Sequence, residues 1–134
     1  MEYRVGVGLG LGVCVLGALA GFDRDRSFYP VVTIVIASYY ELFAVLGGST
    51  RALLLESMVF LGFLAVSVVG FRRNLWLIVV ALLAHGVMDF FHHPLIANPG
   101  VPAWWPMFCL TFDVAAGIFL AIRLRSARLS ARAA

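Results

Sequence analysis

Four of the seven carboxylates in this 134-residue chain, Glu41, Glu56, Asp89 and Asp113, fall inside apolar runs long enough to cross a bilayer, and the one arginine in those runs, Arg123, stands at the far end of the last. A charged side chain at the bilayer centre costs about 2.5–3.5 kcal/mol on insertion scales, so intramembrane acids ordinarily have a partner and a task. The partners on offer here are histidines, protons or a metal ion. The sharpest unit is His85-Gly-Val-Met-Asp89-Phe-Phe-His92-His93, whose polar residues stand at i, i+4, i+7 and i+8. That spacing predicts one shared helix face. Gly86 beside His85 would let a neighbouring helix come close.

Imidazoles beside a carboxylate at helical spacing are a recurrent way of presenting metal ligands. Four carboxylates and two histidines match the inventory of a dinuclear carboxylate centre, although Asp89-x-x-His92 is the only unit comparable to the Glu-x-x-His pairs of that template. A mononuclear Zn²⁺, Fe²⁺ or Mn²⁺ site is an equal expectation, with ligands drawn from His85, Asp89, His92, His93, Asp113 and Glu56. There an ion would bring a bound water to a pKa near ~7, with Glu41 as general base for hydrolysis. Without a metal, burial favours the neutral form of a carboxyl group. A protonated acid beside a histidine then suits isomerisation or cyclisation of an apolar substrate. The catalytic set expected from these arguments is Glu41, Asp89, Asp113 and His85.

Plainer roles stand beside these. Glu56 could snorkel or pair with Arg51, and His93, just before Pro94, could simply end its helix in the headgroup region. Tyr39 and Tyr40 could hydrogen-bond the cluster or serve as interface aromatics. Cys14 and Cys109 lie inside apolar runs and read as small hydrophobes, although Cys109 is one turn before Asp113.

Hydrophobic residues make up 63% of the chain, which places it in the membrane class. The apolar stretches predict five transmembrane helices at residues 5–21, 30–47, 52–71, 75–93 and 106–124, followed by a basic tail at 125–134. Each approaches the ~20 residues that span a ~30 Å hydrocarbon core. Strand-like alternation is missing, and lipid cannot satisfy free backbone groups, so a single all-α bundle is expected. At ~1.5 Å rise per residue the four acids come within about 6–10 Å of the same end of the bundle.

All ten basic residues are arginines, and eight of them (Arg24, Arg26, Arg72, Arg73, Arg123, Arg125, Arg128 and Arg132) share one side of a five-span topology. The positive-inside bias predicts a cytoplasmic C-terminus and an outside N-terminus, in a multi-pass protein of the cell inner or plasma membrane. The basic balance then reports topology and anionic lipid rather than nucleic acid. Asp23-Arg24-Asp25-Arg26 reads as a solvated turn. Ala18-Leu19-Ala20 imitates a signal-peptide cleavage site, but the arginines follow the apolar run instead of preceding it, so a retained helix is expected.

The first run carries Gly6, Gly8, Gly10, Gly12, Gly17 and Gly21. Spacings of four favour close helix packing within the bundle or across a homodimer face. Between the last two runs, Pro94-Leu-Ile-Ala-Asn-Pro-Gly-Val-Pro-Ala-Trp-Trp-Pro106 has four prolines and no charge. It reads as a tethered turn or as a lid over the expected site, with its tryptophans at the interface.

The segment His85-Gly-x-x-Asp89-x-x-His92-His93, continued by Pro102-x-Trp104-x-Pro106-x-Phe108-Cys109-x-x-x-Asp113, resembles a pattern in small uncharacterised bacterial integral membrane proteins. That resemblance implies no particular activity. The chain has far fewer histidines than His-box desaturases and lacks the seven spans of ceramidase-like hydrolases, though three histidines with an aspartate resemble the zinc chemistry of the latter. The leading expectation is a small membrane enzyme acting on an apolar or lipidic substrate at an outward-facing site. The alternatives are a proton- or cation-translocating protein using the same groups, and a structural subunit whose acids meet a partner's arginines.

Overall fold

The computed structural model describes the backbone of residues 1–133 and the side chains of residues 1–127. Arg128 and Arg132, counted above in the basic tail, lie outside the described side chains. Five α-helices follow one another: α1 (Glu2–Ala20), α2 (Phe28–Leu46), α3 (Thr50–Arg72), α4 (Trp76–Leu95) and α5 (Trp105–Ala133), with a short 3-10 turn at Phe22–Arg24. All five are long and apolar enough to cross a membrane, and the described residues contain no strand. The protein is an all-α, multi-pass membrane bundle. α5 runs on to Ala133, so the segment after residue 124 is helical backbone continuous with the last span.

α4 is the hub. It packs along α5 on one side and meets α3 and α2 on the other, while α2 and α3 pair as a hairpin and α1 lies against α5. Its inward stripe, Ile78, Val79, Leu82, His85, Asp89 and His92, is buried throughout. α1 buries only Gly6, Gly10, Cys14 and Gly17. A Cβ on Gly10 would stand 2.8 Å from the Phe112 carbonyl oxygen, and one on Gly6 would overlap Thr111 and the Phe108 carbonyl. These glycines therefore let α1 and α5 come nearly backbone to backbone, the close contact that drives helix association where no water is expelled. Gly8 and Gly12 face open space on the other side of α1.

The α2–α3 turn is built from Gly47, Gly48 and Ser49. Gly48 has φ 66°, a left-handed conformation that glycine adopts without penalty. The Ser49 hydroxyl oxygen then accepts the Ala52 N–H at 3.2 Å and caps α3. Beside this turn lies the proline-rich loop 96–104, whose Gly100 fits against Phe43 and Gly47 so closely that a Cβ there would meet the Gly47 nitrogen at 2.9 Å.

At the opposite end the structure corrects the reading of the 23–26 turn as simply solvated. Asp23 has a side chain only 2% exposed and pairs with Arg123 of α5 at 2.7 Å. The tie joins the α1–α2 connection to the last helix, a contact across 100 residues that no local pattern announces.

Candidate functional site

Five ionisable side chains meet in the half of the bundle nearest the 96–104 loop. His85, Asp89 and Asp113 are at most 1% exposed, and Glu56 and His92 are 2% exposed. At ~100° per residue Asp89 lies about 40° round α4 from His85 and His92 about 20° to the other side, so all three share the inward face. α5 approaches α4 at Gly86, where a Cβ would meet Leu110 and Asp113 at 3.4–3.6 Å. That approach sets Asp113 beside His85.

Two imidazole–carboxylate pairs result. His85 Nδ1 lies 2.7 Å from Asp113 Oδ2 and 3.5 Å from Asp89 Oδ2. His92 Nε2 lies 2.8 Å from Glu56 Oε1 on α3. Tyr40 of α2 joins them: its hydroxyl donates to Asp89 Oδ1 at 2.6 Å, and its ring stacks on His92 with centroids 4.0 Å apart. Phe63 closes the far side of His85, edge to face at 4.9 Å.

Several polar atoms are left over. His85 Nε2, Asp89 Oδ2, Asp113 Oδ1 and Glu56 Oε2 are buried without a hydrogen-bond partner among the described residues. Unpartnered buried groups cost about 1–3 kcal/mol each, more when charged, and call for an explanation such as a proton, a water or an ion. Three carboxylates with two neutral imidazoles carry a formal charge of −3. Three protons would neutralise it, or one divalent cation with one proton. His85, Asp89 and Asp113 each offer a ligand atom within 4.8 Å of the others, so this group could hold a metal ion. Nitrogen and carboxylate donors together suit zinc, iron or manganese.

Two of the expected site residues fall elsewhere. Glu41 is half-buried and accepts a hydrogen bond from Ser57 Oγ at 2.7 Å, away from the histidines. Tyr40 takes the inward direction of α2, and its neighbour is turned by ~100°. His93 is exposed, because the eighth residue after His85 has drifted about 80° off the buried face. Glu56 pairs with His92 rather than with Arg51. Cys109 is buried in the apolar core next to Asp113 and is not one of the grouped ligands.

Asn98 was not anticipated. From the middle of the loop its amide donates to Glu56 Oε1 and to the Tyr40 carbonyl, both at 3.0 Å, while its own oxygen accepts the Gly100 N–H at 3.2 Å. One signal was available: apart from the tryptophans it is the only hydrogen-bonding side chain between Pro94 and Pro106. The loop is thus anchored to the cluster, and under it lies a cavity of about 590 Å³ whose wall includes Asp89, His92 and Asn98. Ligand pockets commonly measure ~300–1,000 Å³.

Fold and site together define a five-span helical membrane protein with a buried histidine–carboxylate cluster opening to a pocket at one end. Comparison with protein-family models, with curated proteins and with solved structures finds no match to this chain.

Proposed function

We propose that the protein is a small membrane enzyme acting on an apolar or lipidic substrate held beneath the 96–104 loop. The single observation that carries this reading is that the pocket ends on Asp89 and His92, members of the two buried imidazole–carboxylate pairs. In this reading His85, Asp89 and Asp113 hold a divalent ion, and such an ion supplies Lewis acidity and an activated water. Glu56 then orients His92 as the group that takes and returns a proton at the pocket wall, the role of a base fixed by a carboxylate. Tyr40 and Asn98 hold the two pairs in register. Glu41, assigned as general base on sequence grounds, is too far round α2 for that role, and His92 replaces it. The reaction class is hydrolysis of an ester or amide with an apolar chain.

The polar groups of the other half favour this over a conduit. There Thr33 Oγ1 donates to the Tyr29 carbonyl of its own helix, Ser67 Oγ is buried without a hydrogen-bond partner among the described residues, and the buried acid at that end, Asp23, is held by Arg123. A proton path would need a relay continuing to that face.

The test is elemental mass spectrometry on untagged protein purified without chelators, beside turnover of long-chain esters and amides. Wild type should carry about one equivalent of zinc, iron or manganese, and His85→Ala should lose both metal and turnover. Metal-free wild type with turnover unaffected by His85→Ala and Asp113→Asn would sink the proposal.

A further inference from the structure

The end of the bundle opposite the 96–104 loop carries an excess of the other sign. Its described side chains include Arg24, Arg26, Arg72, Arg73, Arg123 and Arg125, against only Asp23 and Asp25. Asp23 is held by Arg123, while Asp25 accepts the Ser27 N–H at 2.9 Å and forms no ion pair. Arg24, Arg26, Arg72 and Arg73 are exposed and have no ion-pair partner among the described residues. Like charges gathered without counter-ions repel one another, and a bound anion relieves them.

The arginines are not merely scattered over this surface. Arg26 Nε donates to the Phe71 carbonyl at 3.2 Å, which ties the 22–27 turn to the last turn of α3 across 45 residues. The terminal nitrogens of the same guanidinium have no hydrogen-bond partner among the described residues. Arg72 follows Phe71 directly, so two guanidinium groups start from one rim. Such groups grip phosphate oxygens through paired N–H donors.

Directly beside that rim lies an apolar slot. Ser27 and Phe71, the chain neighbours of Arg26 and Arg72, line a cavity of about 170 Å³ between α2 and α3. Its wall continues to Val31 and Ile34 on α2 and to Val68 on α3. At ~1.5 Å rise per residue, Ser27 to Ile34 spans about 10 Å of a hydrocarbon core ~30 Å thick. Val31, Val68 and Phe71 are exposed, so the slot opens sideways towards lipid. Pockets that enclose a whole small molecule measure ~300–1,000 Å³. This slot instead suits a segment of one chain whose remainder stays in the bilayer. A zwitterionic head would bring its own cation to the arginine rim, whereas an anionic head would not.

We infer that the slot and its rim form a site for one anionic phospholipid, with the phosphate on Arg26 and Arg72 and one acyl chain between α2 and α3. The site is separate from the pocket beneath the 96–104 loop and stands whatever that pocket binds. A lipid held there adds a second tie between the 22–27 turn and α3, beside the bond from Arg26 to Phe71.

The experiment uses the full chain, delipidated in detergent, and native mass spectrometry with phosphatidylglycerol or phosphatidylcholine bearing the same oleoyl chains. An arginine close to an anionic lipid contributes about 5-fold in affinity, so the pair predicts one phosphatidylglycerol held at least ~10-fold more tightly than phosphatidylcholine. Arg26→Gln with Arg72→Gln should narrow that ratio to less than about 3-fold. Arg4→Gln with Arg51→Gln, at the other end of the bundle, should leave it unchanged. Val68→Trp sets an indole in the slot from an exposed position and should weaken phosphatidylglycerol about 10-fold with every arginine intact. Thermal unfolding in detergent checks that each variant is folded. Equal affinity for the two lipids would overturn the inference, as would an equal loss in the Arg4 and Arg51 variant. Binding untouched by Val68→Trp would reduce the site to diffuse attraction by surface charge. Displacement of the lipid by millimolar inorganic phosphate would make it a site for a free anion, and either result also overturns the inference.

Discussion

The ring of Tyr40 lies nearly parallel to that of His92, with planes inclined by 16° and centroids 4.0 Å apart. The same phenol donates its hydrogen to Asp89, 49 residues away in sequence. One side chain from α2 therefore touches both imidazole–carboxylate pairs at once, and the site behaves as a single network rather than as two adjacent dyads. Buried networks of this kind are worth more than their separate bonds when complete and are costly when one member is removed.

Tyr40→Phe should separate the two contacts, since it keeps the stack and deletes the donor. Asp89 would then have neither oxygen hydrogen-bonded by a donor hydroxyl, because its Oδ2 is already without a partner. The expected cost is about 1–3 kcal/mol of stability. Metal affinity should fall about 10–100-fold, as for loss of a group that orients a ligand. Thermal unfolding in detergent and metal titration read the two effects, and a variant identical to wild type in both would show that the hydrogen bond does not matter.

Metal binding to carboxylates and imidazoles displaces protons, so affinity should rise with pH. Between about pH 5 and 8, Zn²⁺ or Mn²⁺ affinity for wild type should increase, and proton release should be measurable by calorimetry in buffers of different ionisation enthalpy. Removing a ligand outright, in His85→Ala or Asp113→Asn, should cost more than the ~10–100-fold of a supporting group. Affinity independent of pH would point to a site other than this cluster.

Asn98 tests the anchoring of the loop. Asn98→Ala deletes donors to Glu56 and to the Tyr40 carbonyl, which should destabilise the protein by about 1–3 kcal/mol and raise hydrogen exchange across residues 96–104. Asn98→Asp sets a carboxylate against Glu56 Oε1 in place of a donor and should be the worse of the two. Unchanged exchange in Asn98→Ala would mean that Gly100 and the prolines hold the loop without it.

Glycine substitutions distinguish packing within the bundle from a face open to a second copy. Gly10→Ala must displace the Phe112 backbone and should cost about 1–3 kcal/mol. Gly8→Ala meets nothing within 4 Å and should be neutral or stabilising by up to ~1 kcal/mol through helix propensity. A homodimer face on the glycine-rich first helix, the alternative to packing within the bundle, has only Gly8 and Gly12 of α1 left to use. Gly8→Leu with Gly12→Leu should therefore abolish any dimer seen by native mass spectrometry while leaving the monomer folded.

Arg123→Ala leaves the nearly buried Asp23 carboxylate without its ion-pair partner. Because Arg123 is itself half exposed, the loss should be about 1–2 kcal/mol, below that of a fully buried pair. Asp23→Asn should recover part of it in the double variant, and failure to do so would mean that the pair is not coupled.

The number of helices, their approximate limits and the membrane class follow from composition and run length, because lipid forces each spanning segment to satisfy its own backbone and be apolar along its length. The helical spacing of His85, Asp89 and His92 was likewise legible, since rotation of ~100° per residue is local geometry. Rotation of one helix against another is not local. It is set by which small residues allow close approach, Gly10 against Phe112 and Gly86 against Leu110, and by which bulky ones do not. That is why depth along each helix put Glu41 level with the other acids, whereas packing turned Tyr40 inward and sent Glu41 to Ser57. It is also why His93 reads as a neighbour of His92 in the chain yet stands outside the cluster. Long-range ties were the least legible: Asn98 with Glu56 and Asp23 with Arg123 join segments whose patterns say nothing of each other. Sequence thus determined a five-span bundle bearing more buried acid than it could neutralise. Tertiary packing alone decided which acids share a histidine, because that depends on the relative rotation of helices that each look complete by themselves.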